Sequence, residues 1–337
     1  MELSIVTTPQ VVHKEQVLVN STSRFIEANT IDVSLSHLKN DCIIPVFAKD
    51  NETTISHFEF IEAVNDVAKS IFIDAEFSSP SIRASHMIKG RIPSAIGKPA
   101  KELLEHEKTI YYDRMAFMIE IPSITNVVNN QKLTLAIGGV RAYNQENLYT
   151  KKTIEKFKVF VGFKNMVCTN LCIATDGFQD EIRVSSVMQL QESVTNLLVN
   201  YNSEAHLGNM EKMSKYQFTE TEFAHFIGKM KLYPYLTKDY KKKLFPLLLT
   251  ESQINSIVKD YFLDKNFKRN SSGNIDLWNV YNLFTGAIKS SYIGNHLERN
   301  VNAYEFINML AKSIENNVQT WYTHNYSIAN MYNDDRL

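Results

Sequence analysis

Several signals are scarce or missing from this 337-residue chain, and each absence closes off a class of function. Cysteine occurs three times, at Cys42, Cys168 and Cys172. So odd and sparse a count is no disulfide framework, and a reduced, cytoplasmic protein is expected. Cys168 and Cys172 read as neighbours on one helix turn, a poor geometry for a bridge, and all three read as small buried hydrophobes. Apolar runs are short: Leu247-Leu248-Leu249 is typical, far below a bilayer span. The first residues, MELSIVTTPQ, lack the basic and apolar regions of a signal peptide. There is no internal repeat and no low-complexity segment.

The familiar reaction motifs are missing as well. No Walker A, GxGxxG or GxSxG pattern occurs, and the nine histidines contain no HxxxH. Cys168-x-x-x-Cys172 stands alone, whereas a zinc site needs four ligands. A Thr169-Asn170 pair directly after a strand reads as a turn cap. Asp113 and Glu120 are seven apart in a β-type run, hence on opposite faces, and cannot act side by side. Asp176 and Asp180 lie close but in a loop, short of the clustered carboxylates of a metal nuclease. No catalytic residue, cofactor or metal is assigned.

What is present is segregated charge. The net charge is −1, yet residues 1–75 hold five basic against eleven acidic side chains. Residues 81–101 hold five basic and none acidic, and 141–168 six against two. Residues 176–226 reverse to three against eight, and 227–270 return to ten against four. Such blocks form one-sign surfaces or cancel each other across an interface.

Residues 1–25 lack periodicity and read as a mobile arm. Asp41–Phe47 reads as a strand, with Pro45 marking an edge. Ser56 and Glu59 form a capping box for a helix bearing Phe60, Ile61, Val64 and Val67. Residues 78–99, with three prolines and two glycines, read as a long basic loop. Pro99 is suited to open a short helix. The densest concentration of structure signals runs from Thr109 to Gly177. Thr109–Ile121 and Lys132–Tyr143 read as strands flanking a turn at Asn129-Asn130, and Phe157–Phe163 as a third. Gly138-Gly139 inside a strand points to a bulge or to close approach of another group. Beyond Gly177, boxes at Ser186, Thr219, Thr250 and Asn302 precede apolar helical stripes, and Leu277, Val280, Tyr281 and Phe284 form another. The expected fold class is α+β, with an antiparallel sheet in the N-terminal half and a helical C-terminal half. The sheet domain is placed at 26–180, a helical region packed on it at 181–320, and a tail at 321–337.

Five phrases resemble a known family: IRASHMIKGRIPSAIGKPAKELL, TIYYDRMAFMIEIPSI, IGGVRAYNQENLY, KFKVFVGFKNMVCTNLCIATDG and LWNVYNLFTGAIKSSYI. In order and across Val33 to Ile314, they are similar to the bacterial domain-of-unknown-function family numbered 3871. Val167–Leu171 and the Leu277-Trp278…Ser291-Tyr292 phrase are more weakly similar to the phage/plasmid family of unknown function numbered 932. The resemblance implies a gene of phages, plasmids or integrative elements and raises the expectation of work on DNA or against host defence. It brings no catalytic residues.

The residues themselves offer a polyanion surface. Arg83, His86, Lys89 and Arg91 punctuate the basic loop and can neutralise phosphates. Lys156 and Lys158, with Phe160, share one face of a strand whose other face is core, and Lys164 ends that strand. Arg141 would be turned toward a shared surface by a bulge at the glycines. Trp278, Tyr281 and Phe284 read as core, and Lys289–Tyr292 as a rim able to face phosphate. The leading expectation is a non-enzymatic mobile-element protein binding nucleic acid, single-stranded DNA in particular, in recombination or replication. A protein-binding inhibitor of a host defence system is the rival, and an uncharacterised enzyme the third reading. Convergence of the basic blocks on one groove favours nucleic acid; a mixed or acidic surface favours a protein partner.

Overall fold

Alternating side chains build the sheet. β5 (Arg114–Val128), β6 (Gln131–Ala142) and β7 (Glu155–Asn165) are long antiparallel neighbours in a computed structural model that describes residues 24–42, 54–95, 97–146 and 154–323. Asn129 and Asn130 join β5 to β6 with φ of 47° and 62°. That pairing suits the right-handed twist of a two-residue hairpin, and asparagine tolerates it. The sheet order is β1-β2-β5-β6-β7-β8, where β1 is Ile31–Asp32, β2 Ser81–Ala84 and β8 Leu171–Cys172. β9 (Phe178–Val184) pairs with the other end of β7. Register slips between Ile121 and Thr125 in the β5–β6 ladder, where Pro122 has no N–H to give, and between Phe157 and Val159 in the β7–β9 ladder.

Each face is closed by helices. On the first, Phe117, Ile119, Leu135, Ile137, Phe157 and Val161 pack under α2 (His57–Ile71) and α3 (Val187–Asn200). The Ser56–Glu59 capping box is present at the start of α2. On the second face, Ala116, Met118, Ala136, Val140 and Phe160 meet Phe25 and Ile26 of the segment before β1 and Ile293 and Leu297 of α9 (Ile293–Glu315). At 23 residues, α9 is about 35 Å long. Its first turns cover the sheet, and Phe306, Ile307 and Leu310 farther on join the helical core.

That core surrounds α8 (Leu277–Ile288), which buries ten of its twelve residues. A helix apolar all round is stable only with neighbours on every side. They are α4 (Ser203–Met213), α7 (Glu251–Leu263) and α9, with α5 (Glu220–Leu232) packed on α7. Amides tie α8 to the sheet. Trp278 Nε1 donates to Gln131 Oε1 (3.1 Å), Asn165 Nδ2 to Asn282 Oδ1 (3.1 Å), and Asn170 Nδ2 to the Asn282 carbonyl (2.9 Å). The β7–β8 turn that supplies two of these asparagines carries Thr169 at φ 59°. The architecture is α+β, with the antiparallel sheet in the N-terminal half and helices dominating the C-terminal half. Among the described residues no helix is long and apolar enough to cross a membrane.

Several local expectations change. Residues 78–99 are not one loop: they hold β2 and β3 (Met87–Arg91), and β3 pairs with β4 (Lys108–Tyr112). The run Thr109–Ile121 breaks at Asp113, so its two halves serve different sheets. Pro99 opens only a 3-10 turn at Ala100–Glu102. The Gly138-Gly139 ladder runs without a register shift, so there is no bulge. A Cβ on Gly138 would lie 2.8 Å from the Phe160 ring, and one on Gly139 2.5 Å from the Phe60 ring and 2.7 Å from the Lys158 carbonyl. Close approach requires these glycines. Asn302 lies inside α9 and instead ties down the Pro246–Leu248 segment: its amide donates to the Pro246 carbonyl and its Oδ1 accepts from Leu248 N. Cys168 sits in a turn and Cys172 in β8, not on one helix turn, and none of the three cysteines is in a disulfide. Cys42 makes an isolated parallel bridge to Ile110; the rest of the expected Asp41–Phe47 strand, from residue 43, lies outside the described residues, as do residues 1–23 and 324–337. Tyr322 is buried, stacked edge-on to Phe306.

Candidate nucleic-acid interface

The eight basic residues marked by the sequence fall into three places. Arg141 lies inside the protein with no exposed surface. Its Nε donates to Glu146 Oε1 (3.1 Å), its Nη2 to Glu155, and its Nη1 to the Ile55 carbonyl. The guanidinium is sandwiched by Tyr143 and Phe157, 4.6 and 4.4 Å from the ring centroids. Burial raises the Glu146 and Glu155 carboxyls, against the lowering pull of Arg141. Arg141 therefore presents nothing to a ligand; it clamps the ends of β6 and β7 to the chain leading into α2.

Four residues occupy the second sheet face. Lys156 pairs with Glu181 (2.7 Å), Lys158 with Asp180 (3.1 Å) and Glu298, and Lys164 with Glu120 (2.7 Å). Arg83, 1% exposed, pairs with Asp32 and donates from Nε and Nη2 to Thr30. Its Nη1 lies against Asp32 off the line of any directed hydrogen bond. Arg83 and Lys164 meet in one cleft, while Lys156 and Lys158 line another beside Asp180 and Glu181. Arg83 of the 81–101 block and three lysines of the 141–168 block thus share a sheet face, but each cation there has a carboxylate partner.

The third place is the β3–β4 hairpin. His86 and Lys89 are exposed, and Arg91 stands opposite Lys108 in the ladder. Arg91 donates to the Lys98 carbonyl, Lys98 pairs with Glu107, and Lys108 with Glu105. Of the hairpin strands' cations, Lys89 has no ion pair among the described residues.

Among the described residues, a denser run of lysines lies elsewhere. From Lys229 to Lys243 the chain carries six lysines and one acid, Asp239. α5 ends there, Pro234 occupies the following 3-10 turn Tyr233–Tyr235, and Thr237 caps the short helix α6 (Lys238–Lys242). The turn is anchored from within. Tyr233 stacks on Tyr322 (6.3 Å), Tyr240 meets Trp321 edge-on (6.5 Å), and the buried Lys229 lies over the Trp321 ring (5.0 Å). Its partner Tyr235 points outward at 84% exposure. Before and after it in the chain Lys231, Lys238, Lys242 and Lys243 are exposed. Lys238 and Lys243 have no ion pair among the described residues, and the Lys242–Asp239 pair (2.9 Å) is almost fully solvated and worth little. An aromatic face held in water amid cations fits a stacked base between phosphates. Sequence counting detects this block as positive, but alternation of inward Tyr233 and Tyr240 with outward Tyr235 becomes visible only once Trp321 and Tyr322 are placed.

A family model described as "Domain of unknown function, B. Theta Gene description (DUF3871)" matches residues 5–323, nearly the whole chain. No curated protein and no solved structure matches.

Proposed function

The chain belongs to this family of unknown function, and we propose that it binds nucleic acid, single-stranded in preference to duplex, through the corner between α5 and α6. The observation that supports this reading is Tyr235, 84% exposed on an anchored turn within a segment, Lys229 to Lys243, that carries six lysines and a single acid. Stacking on an exposed ring is worth about 1–3 kcal/mol per base and needs an unpaired strand. The lysines supply the sequence-independent attraction. A role in the recombination or replication of a mobile element rests on the resemblance alone.

The test is binding of a labelled single-stranded oligonucleotide across a salt series. The triple substitution Lys238→Ala, Lys242→Ala and Lys243→Ala is expected to flatten the log K against log salt slope by roughly 0.7 per lost contact, about two in all. Tyr235→Ala is expected to weaken single-strand binding about tenfold or more and leave the slope unchanged. An unaltered slope and affinity in both variants removes the corner from any nucleic-acid interface. A protein partner, such as a component of a host defence system that this chain would inhibit, is the second reading. It is favoured by the alternating signs of Lys156, Glu181, Asp180, Lys164 and Glu120 on the second sheet face, since mixed charge selects a matching protein surface better than a uniform polyanion.

A further inference from the structure

The segment from Arg24 to Asp32 crosses the second sheet face as a strap. Phe25 and Ile26 seal it to the core, Glu27 N and Ala28 N donate to the Lys289 carbonyl (2.8 and 3.1 Å), and Thr30 is gripped by Arg83. Between this strap and the β7–β8 turn lies a cleft of about 300 Å³. Arg24, Asp32, Glu120 and Lys164 supply its charge, Ser81 and Thr169 its hydroxyls, and Phe25 and Met118 its apolar floor. The size is at the lower end of small-ligand pockets, about 300–1,000 Å³, and too small for a folded partner.

The charges decide the ligand class. Arg83 also borders the cleft, but it is spent on Thr30 and Asp32 and acts by fixing the strap. Arg83 takes Oδ1 of Asp32 and leaves Oδ2 toward Arg24, so the groups open to a ligand are two cations, Arg24 and Lys164, and two carboxylates, Glu120 and the Oδ2 side of Asp32. Arg24 and Asp32 are only loosely paired at 3.5 Å, with 53% and 65% of their side chains exposed. Lys164 and Glu120 are mostly buried and 2.7 Å apart. Placing such a pair inside costs desolvation that an apolar pair on the same face would avoid. A purely anionic ligand meets two carboxylates here and a purely cationic one meets two cations. A ligand carrying one charge of each sign satisfies both sets without adding net charge. We propose that this cleft is a binding site for a small zwitterion of the α-amino acid class with an apolar side chain, its carboxylate toward Lys164 and Arg24, its ammonium toward Glu120 and Asp32, and its side chain on Phe25 and Met118.

The site is independent of the α5–α6 corner, and its test uses different probes. Calorimetric titration of the full chain with L-leucine is expected to show saturable binding. L-leucinamide, which lacks the carboxylate, and 4-methylpentanoate, which lacks the ammonium, should each bind at least tenfold more weakly. Glu120→Gln and Lys164→Met should each weaken L-leucine at least tenfold. Because both are partly buried, Arg24→Ala at the exposed rim serves as a variant that spares the core, with a loss of at least threefold. Absence of L-leucine binding at millimolar concentration overturns the proposal. So does equal binding of either single-charge analogue, or displacement of L-leucine by inorganic phosphate or guanosine monophosphate.

Discussion

Removing Arg141 should strike stability, because of what it leaves behind. Glu146 and Glu155 expose 0% and 9% of their side chains, and Arg141 is the cation both face. Arg141→Ala strands two carboxylates in the interior and frees the Ile55 carbonyl. Breaking one partner out of a buried ion pair costs about 3–5 kcal/mol, a large part of the roughly 5–15 kcal/mol that holds a domain folded. The assay is urea denaturation followed by circular dichroism at pH 5.5 and pH 8. Both carboxyls are already raised by burial and held back by Arg141, so its removal raises them further. A carboxyl whose folded pKa lies above its unfolded value of about 4.3 contributes stability at low pH that is lost as pH rises through the folded pKa. The penalty should therefore be larger at pH 8 than at pH 5.5. Adding Glu146→Gln and Glu155→Gln to Arg141→Met should recover much of it, since neutral groups have less to lose by burial. A loss below about 1 kcal/mol in Arg141→Ala, equal at both pH values, refutes the reasoning.

Two other perturbations test the packing. Gly138→Ala places a methyl 2.8 Å from the Phe160 ring and 3.0 Å from the Met118 Cα, so a loss of about 2 kcal/mol or more in urea is expected, and a loss under about 0.5 would show that β5, β6 and β7 pack more loosely than described. Burial pushes His57 and His206 down to about 3 and His296 to about 4. Since the unfolded chain then takes up these protons first, stability is full above about pH 6.5 and falls on acidification toward the folded values, by up to about 1.4 kcal/mol per pH unit for each histidine. The raised Glu146 and Glu155 act with the opposite sign and soften the fall. A urea midpoint that stays flat from pH 7 to pH 5 contradicts this burial.

The order and type of the elements were written locally. Strand alternation along Phe157–Phe163, the Asn129-Asn130 turn and the boxes at Ser56, Thr219 and Thr250 each depend on residues within a few positions of one another, and each appears in the structure. At Ser186 the hydroxyl caps α3 as expected, but Gln189 turns its side chain to Ser185 N instead of closing the box. α4 went unseen because its apolar stripe is weak and only His206, Met210 and Met213 are buried. Its stability comes from α8 and α9, not from its own pattern.

What only the tertiary structure decided was the fate of charge. A basic residue looks the same in sequence whether it meets solvent or a carboxylate far along the chain. Lys158 meets Glu298 because α9 packs over the sheet, Lys164 reaches Glu120 across β6, and Arg141 is enclosed because the chain before α2 closes over it. In the α5–α6 corner Lys238 and Lys243 have no ion pair among the described residues, and Lys242 meets only the solvated Asp239. Hydrophobic period is a property of neighbours in sequence and fixes helices and strands. Electrostatic pairing is a property of neighbours in space, and so the surface that carries the proposed function emerged only once the chain was folded.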